Sequence, residues 1–242
     1  MIPARHASTR LPGKPLRLLR GRPLVLYAWE AARAAGLARV VVATDDERVA
    51  AVVRAAGGEA ALTSPQHPSG TDRVAEVARA SREGVILNLQ GDEPEADPAL
   101  LRALCEAAAA GAPVVTAAAP LVDPAHRESP HVVKVVCDAA GHALYFSRAA
   151  IPAAHPGSGP PAEVLGHLGI YAFRREALLR FVELPRGPLE LSEGLEQLRA
   201  LEHGLPVRVL RAPRFTRGVD TLEDLAALER QTPQGRPAGR PD

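Results

Sequence analysis

Lysine is nearly missing from this chain: of its 29 basic residues only Lys14 and Lys134 are lysines. Wherever a positive surface charge alone is needed the sequence uses arginine, so a retained lysine is informative. Aromatic residues make up only 3%, too few for the stacking platforms of single-stranded nucleic-acid binders. Basic residues balance 28 acidic ones to a formal net charge of +1, so no overall field draws the molecule to nucleic acid or to an anionic membrane. Cysteine occurs twice, at Cys105 and Cys137, with no C-x-x-C pair and no histidine at ligand spacing. That argues against a disulfide framework and a zinc site and leaves two buried free thiols as the expectation. No apolar run approaches the roughly 18 residues of a membrane helix, and Arg5, His6 and Arg10 stand where a signal peptide needs an apolar core. The expected location is the cytoplasm, without membrane contact.

What remains is an ordinary globular composition of 242 residues, 46% hydrophobic and 24% charged, long enough for one large domain or two small ones. Short β-branched runs alternate with longer Ala-rich amphipathic stretches, the pattern of a doubly wound α/β sheet. Strands are expected at 39–44, 84–89 and 113–118, apolar on both faces as strands covered on both sides should be. Helices are expected at 23–35, 47–56, 71–81 and 98–109, with Pro23, Asp46 and Pro98 at their starts and Gly36, Gly57 and Gly111 at their ends. Met1 to Ala4 reads as a first strand so short that it either begins abruptly or continues upstream. From Val132 the pattern changes to an antiparallel pair, 132–137 and 142–147, then a Pro/Gly-rich loop at 151–161. A strand at 166–173, helices at 174–182 and 189–203, a strand at 207–210 and a helix at 221–230 follow. The spans predict one α/β domain over 1–231, with an antiparallel excursion at about 132–171. The tail from Thr232 to Asp242 has no apolar content and is expected to be disordered.

Four segments gather groups able to do chemistry. The first is IPARHASTRLPGKPL, residues 2–16: directly after the first strand it offers Arg5, Arg10 and Lys14 among small residues, which suits a triphosphate or, equally, a solvated basic loop. It is not a Walker A loop, and no G-x-G-x-x-G follows a strand, which counts against a nicotinamide dehydrogenase. In LNLQGDEP, residues 87–94, Asp92 and Glu93 either hold a divalent cation against phosphate oxygens or cap the helix near Pro98. In RGVDTLEDL, residues 217–225, Asp220 and Glu223 read as a capping box, or Asp220 faces Asp92 across a cleft. In SGTDR, residues 69–73, Ser69 and Thr71 either cap a helix or bind a base or phosphate there.

Taken together in order, these segments with VVVATDDERV, VVKVVCD, ALYFSRA, GHLGIYAF and LEQLR resemble the 3-deoxy-manno-octulosonate cytidylyltransferases, the CMP-KDO synthetases, over some 220 residues. The resemblance implies a Rossmann-like, nucleotide-diphospho-sugar transferase type of sheet. It also implies transfer of CMP from CTP to the anomeric hydroxyl of 3-deoxy-D-manno-octulosonate (KDO) for lipopolysaccharide biosynthesis, in a homodimer using Mg²⁺. By the same resemblance Pro3, Ala4, Arg5, Arg10, Lys14, Ser69, Gly70 and Gln90 contact CTP, and Asp92 and Asp220 bind the metal. Arg10, Lys14, Asp92 and Asp220 would carry the catalysis. Arg148, His167, Tyr171, Glu196 and Gln197 would face the sugar. The chain departs from the family at Ala153, where a bulkier aromatic is expected, and in the short loop that follows. Competing readings are a cytidylyltransferase for a sialate-like acid and a nucleotide-binding regulator without turnover, the latter disfavoured because both metal carboxylates are present.

Overall fold

The first strand is an inner strand of the sheet and among its shortest. In the computed structural model, which describes residues 1–6, 11–155, 157 and 162–230, β1 (Ile2–Ala4) is three residues long and wholly buried. Two more short strands, β2 (Leu18–Leu19) and β3 (Arg22–Pro23), form a separate hairpin. β1 pairs in parallel with β4 (Val41–Thr44), and β4 in parallel with β5 (Glu59–Leu62). Its other edge meets β6 (Val85–Asn88) and the residues after it: the Met1 ammonium donates to Leu87 O at 2.6 Å, Leu89 N–H to Met1 O at 3.2 Å and Gly91 N–H to Pro3 O at 3.3 Å. These bonds join two sheets into one. Beyond β6 come β10 (Leu165–Arg174), antiparallel to both its neighbours, then β7 (Val114–Pro120) and β11 (Val207–Arg211), which is parallel to β7. The mostly parallel order β5-β4-β1-β6-β10-β7-β11 is the expected doubly wound sheet.

Helices α1 (Leu24–Ala34), α2 (Glu47–Ala55), α3 (Gly70–Arg79) and α4 (Pro98–Ala109) make the crossovers. Asp46 caps α2 by accepting from Arg48 N–H, Ser69 caps α3 by accepting from Asp72 N–H, and Asp97 caps α4 by accepting from Ala99 N–H. The cap of α4 is therefore Asp97, not Asp92 or Glu93. Helix ends at Gly36 and Gly57 have φ of +71° and +80°, a conformation that glycine adopts without a Cβ penalty. One buried cluster gathers Trp29, Leu89, Leu101, Leu104 and Ile170, a second Val74, Phe146, Leu178, Phe181 and Leu198.

The antiparallel excursion is present as β8 (Lys134–Cys137) and β9 (Ala143–Ser147), with β8 also pairing with the start of β10. Shorter helices complete the chain: α5 (Pro124–Glu128), α6 (Arg175–Glu183), α7 (Pro188–Glu193), α8 (Leu198–Glu202) and α9 (Leu222–Arg230). The helix expected at 189–203 is two helices, because Gly194 takes φ +61° between them. The β2–β3 hairpin, α5 and the Ala-rich β5 were not anticipated; β5 lacks β-branched residues and is a strand because β4 offers it a partner. Cys105 and Cys137 are free but half-buried rather than fully buried. Arg10, part of the 151–161 loop and the tail from Thr232 lie outside the described residues.

Lys134 shows what one of the two lysines is for. It is fully buried, and its ammonium donates to Val132 O at 2.7 Å, Arg148 O at 2.6 Å and Ser129 O at 2.9 Å. Three donors meet three carbonyls, a fit that a planar guanidinium does not reproduce. Replacing it by Lys134→Met leaves those carbonyls without a donor, at an expected cost of about 2–4 kcal/mol in the free energy of unfolding. Urea denaturation measures this, and a loss under about 0.5 kcal/mol, the range of an ordinary surface change, would show that the carbonyls find other donors.

Candidate active site

The loop leaving β1 turns back at Gly13, whose φ of +68° opens a 3-10 turn over Lys14–Leu16 with Pro15 inside it. That turn aims Lys14 inward. Its ammonium forms an ion pair with Asp92 Oδ2 and donates to Asp220 Oδ1 at 2.8 Å, and its side chain is only 12% exposed. Burial opposes the charge on Lys14, but the two carboxylates outweigh it and raise the pKa. Lys14 is thus a largely enclosed bridging cation, not the exposed loop charge that the composition of its segment suggested.

Asp92 follows β6 on a Gln90–Gly91 turn pressed against β1: a Cβ on Gly91 would stand 3.2 Å from Pro3 O. Asp220 lies in the loop between β11 and α9, not at the end of a strand. Val219 N–H donates to Asp92 O at 2.9 Å and pins that loop to the Asp92 turn. Thr221 and Asp224 supply the reciprocal cap of α9: Asp224 Oδ2 accepts from Thr221 N–H at 2.9 Å and from Asp220 N–H at 3.0 Å, while Thr221 Oγ1 accepts from Asp224 N–H at 3.1 Å. The expected box of Asp220 with Glu223 is replaced by this pair, and the Asp220 carboxylate faces Asp92 instead. Glu93, paired with Asp92 in the sequence reading as a cation ligand or a cap, is pushed up to about 8 by burial and by the neighbouring Asp92 charge, so it is mostly protonated at neutral pH.

Beside this cation position stands a wall of small and amide-bearing groups. A Cβ on Gly70 would lie 3.2 Å from Gln90 Oε1 and 3.3 Å from Pro3 Cγ, so β1, the start of α3 and Gln90 converge there with Ala4. Gln90 donates to Asn88 Oδ1 at 3.3 Å, and Asn88 to Thr71 Oγ1 at 3.1 Å. Arg5 donates to His67 O. Sequence reasoning overlooked Arg73, which is fully buried and bonds Asp45 Oδ2 at 2.9 Å, while Asp45 Oδ1 accepts from His6 N–H at 3.2 Å. This pair anchors the start of the cationic loop.

The remaining candidates lie on the neighbouring side of α3. Glu196 accepts from Ser69 Oγ at 2.8 Å and Thr71 Oγ1 at 2.7 Å, so Ser69 links α3 to the segment before α8. Thr71, Tyr171, Glu196 and Gln197 line one cavity. An aromatic ladder runs behind it: Phe146, His167, Tyr171, Phe173 and Phe181, with successive centroids 5.0, 5.4, 5.8 and 5.9 Å apart. Burial raises the pKa of Glu196, burial and then the Glu196 charge raise that of Tyr171, and burial depresses His167 to about 3. His167 Nε2 lies 2.9 Å from Thr116 Oγ1. Arg148 does not line this cavity; its guanidinium donates to Glu193 O at 2.7 Å and Pro130 O at 3.0 Å. A separate cavity of about 140 Å³, lined by Met1, Leu37, Val85 and Cys105 among others, contains none of these groups.

The sequence profile of the family described as Cytidylyltransferase matches residues 1–210. Over 234 residues, 94% of each chain, the sequence is 48% identical to the 3-deoxy-manno-octulosonate cytidylyltransferase of Syntrophobacter fumaroxidans. Over 228 residues, 93% of each chain, it is 51% identical to that of Anaeromyxobacter dehalogenans. The chain belongs to the 3-deoxy-manno-octulosonate cytidylyltransferase family. Among solved structures it matches CMP:2-keto-3-deoxy-manno-octonic acid synthetase complexed with CTP, at a TM-score of 0.88 and 41% identity over 94% of this chain and 95% of the other. A cytidylyltransferase from Leptospira borgpetersenii serovar Hardjo-bovis, at 17% identity and a TM-score of 0.60 over 94% and 83%, shares the fold. Among the described residues of this cytidylyltransferase family member, no helix is long and apolar enough to cross a membrane, and no group of three or more His, Cys, Asp or Glu side chains is placed to hold a metal ion.

His167 makes the fold sensitive to acid. Its folded pKa lies below that of the unfolded chain, about 6.5, so on acidification the unfolded state takes up a proton that the folded state refuses until about pH 3. Stability from this group is therefore intact above about pH 6.5 and lost as pH falls, by roughly 1.4 kcal/mol per unit below that point. In His167→Gln the loss of stability between pH 7 and pH 4.5, followed by urea denaturation, should be smaller than in the parent by about 2–3 kcal/mol. Equal losses would mean that His167 accepts its proton in the folded state.

Proposed function

We propose that this site transfers CMP from CTP to the anomeric hydroxyl of KDO, giving CMP-KDO for lipopolysaccharide biosynthesis and releasing pyrophosphate. The observation that carries the reading is the convergence of Asp92 and Asp220 on a single cation position, occupied by the Lys14 ammonium, next to the wall built from β1, Gln90 and the start of α3. In the reaction the sugar hydroxyl oxygen bonds the α-phosphorus, the bond from that phosphorus to the bridging oxygen breaks, and the hydroxyl proton passes to solvent. Such transfers are catalysed mainly by positioning and by neutralising phosphate charge.

Two carboxylates already directed at one cation fit a divalent ion, and Mg²⁺ held there would offset charge on the α-phosphate and lower the pKa of the attacking hydroxyl. The chain's own residues supply the rest. Arg5 and Lys14, together with Arg10, which lies outside the described residues, take the triphosphate and stabilise the leaving pyrophosphate. Pro3, Ala4, Ser69, Gly70 and Gln90 hold the ribose and cytosine. Glu196, Gln197, Tyr171 and His167 receive the sugar hydroxyls as hydrogen-bonding groups with little net charge. Arg148, tied to Glu193 and Pro130, orders the excursion on the sugar side and acts through that backbone.

The β8–β9 excursion leaves Leu144 exposed on β9, with Leu189 and Leu191 exposed on α7, and a second copy of the chain is the proposed cover for that face, in a homodimer located in the cytoplasm. Pyrophosphate release with Mg²⁺, CTP and KDO tests the whole reading, with sialate in place of KDO as the comparison. Asp92→Asn and Asp220→Asn should each lower kcat by about 10²–10³ or more with the fold intact by circular dichroism, since an amide fills the space without offsetting the cation. Near-normal turnover in either variant at saturating Mg²⁺ would remove that residue from the metal site, and turnover with sialate alone would change the sugar.

A further inference from the structure

The charge arrangement after β6 carries a consequence for Lys14 beyond phosphate binding, and it rests on the metal reading proposed above. The Lys14 ammonium pairs with Asp92 Oδ2 and lies 2.8 Å from Asp220 Oδ1. Among the described residues, both carboxylates converge at this point. An ammonium and a divalent cation cannot share it, because at contact distance like charges repel strongly wherever solvent screening is reduced. We propose that Lys14 is the resident counter-cation of the Asp92–Asp220 pair in the free enzyme and has to swing away before a divalent cation can take the position.

The geometry also shows which part moves. The backbone of Lys14 is fixed in its 3-10 turn: Leu16 N–H donates to Gly13 O at 2.9 Å and Arg17 N–H to Lys14 O at 3.1 Å, so the change is confined to the four-carbon side chain. An ammonium leaving two carboxylates needs another anion to receive it. The triphosphate is that anion, so the divalent cation and the nucleotide enter as a unit, and the metal alone competes poorly with the lysine. The use of lysine here, in a chain that otherwise chooses arginine, follows: a compact point charge on a flexible stem replaces a metal ion between two carboxylates, whereas a planar fork would span them and stay.

Having only two lysines makes the chain suited to the test. Protein labelled at lysine with ¹³Cε gives two side-chain NMR signals, and Lys134, enclosed by three carbonyls, serves as the internal reference. Mg²⁺ alone, at the concentration that saturates the enzyme in the presence of CTP, should leave the Lys14 signal in place, while Mg²⁺ with CTP moves it. In parallel, electron paramagnetic resonance of Mn²⁺ without nucleotide should show binding to Lys14→Met tighter than to the parent by about tenfold or more, because two charge-assisted contacts no longer compete. A Lys14 signal that moves fully with Mg²⁺ alone, or equal Mn²⁺ affinity in Lys14→Met and the parent, overturns the proposal. The double variant Lys14→Met/Asp92→Asn separates the two levels: Mn²⁺ that still binds it as tightly as Lys14→Met does refutes the metal site itself. Should Lys14→Met fail to fold, the NMR measurement on the parent protein decides alone.

Discussion

Two carboxylates brought to face each other at the end of a sheet need a cation between them, and that requirement organises the candidate site. Asp92 arrives from β6, Asp220 from the loop before α9, and Lys14 from the loop after β1, 206 residues from Asp220. Electrostatic attraction alone does not bring such distant segments into register. The backbone does that first: Gly91 N–H on Pro3 O and Val219 N–H on Asp92 O are two bonds from the Asp92 turn, one to each of the other segments. Because Gly91 and Gly218 stand where a Cβ would press on Pro3 O and on Asp92 O or Glu93 Oε1, respectively, the three segments approach closely enough for side chains of ordinary length to meet.

The site is electrically divided. Around the loop after β1 the groups are charged and compensated in pairs, as with Arg73 and Asp45 or Lys14 and its two carboxylates. Around Tyr171 and Glu196 burial pushes ionisable groups toward neutrality: His167 is held unprotonated, the Tyr171 hydroxyl is kept from ionising, and Glu196 is raised. On the reading proposed above, the charged half suits a triphosphate and the neutral half suits sugar hydroxyls, whose hydrogen bonds strengthen in a dry environment. Ser69 stands on the boundary, capping α3 and donating to Glu196.

What the sequence made legible is what short-range physics determines. The runs VVAT and VILN are strands because β-branched residues suit a doubly covered sheet, and α4 begins and ends at 98 and 109 as Pro98 and the glycine after it imply. The failures have one cause, a neighbour far away in sequence. β5, EAAL, has helical composition and becomes a strand because β4 pairs with it. Asp220 and Glu223 have capping-box spacing, yet Thr221 and Asp224 satisfy the helix start equally well and leave the Asp220 carboxylate to Lys14. The aromatic ladder draws on β9, β10 and α6, and no spacing rule links Phe146 to Phe181. For the site, the residue types and their segments were readable, while the raised pKa of Glu93, the buried Arg73 and the bridging position of Lys14 depended on the three-dimensional fold.

The two lysines join composition to structure most directly. An arginine brings five donors in a fixed plane and spreads its charge; a lysine brings three donors around one atom on a rotatable stem. At Lys134 the environment is three carbonyls closing on a point, fully removed from solvent. At Lys14 it is two carboxylates closing on a point. Both are coordination sites for a small round cation, one built from neutral oxygens and one from charged ones. The difference in donor charge separates their roles: neutral carbonyls compete weakly for a divalent metal, so the Lys134 site stays with its ammonium and holds the excursion in place, whereas paired carboxylates attract a divalent ion strongly. On the metal reading proposed above, only the lysine held by carboxylates has a competitor to give way to.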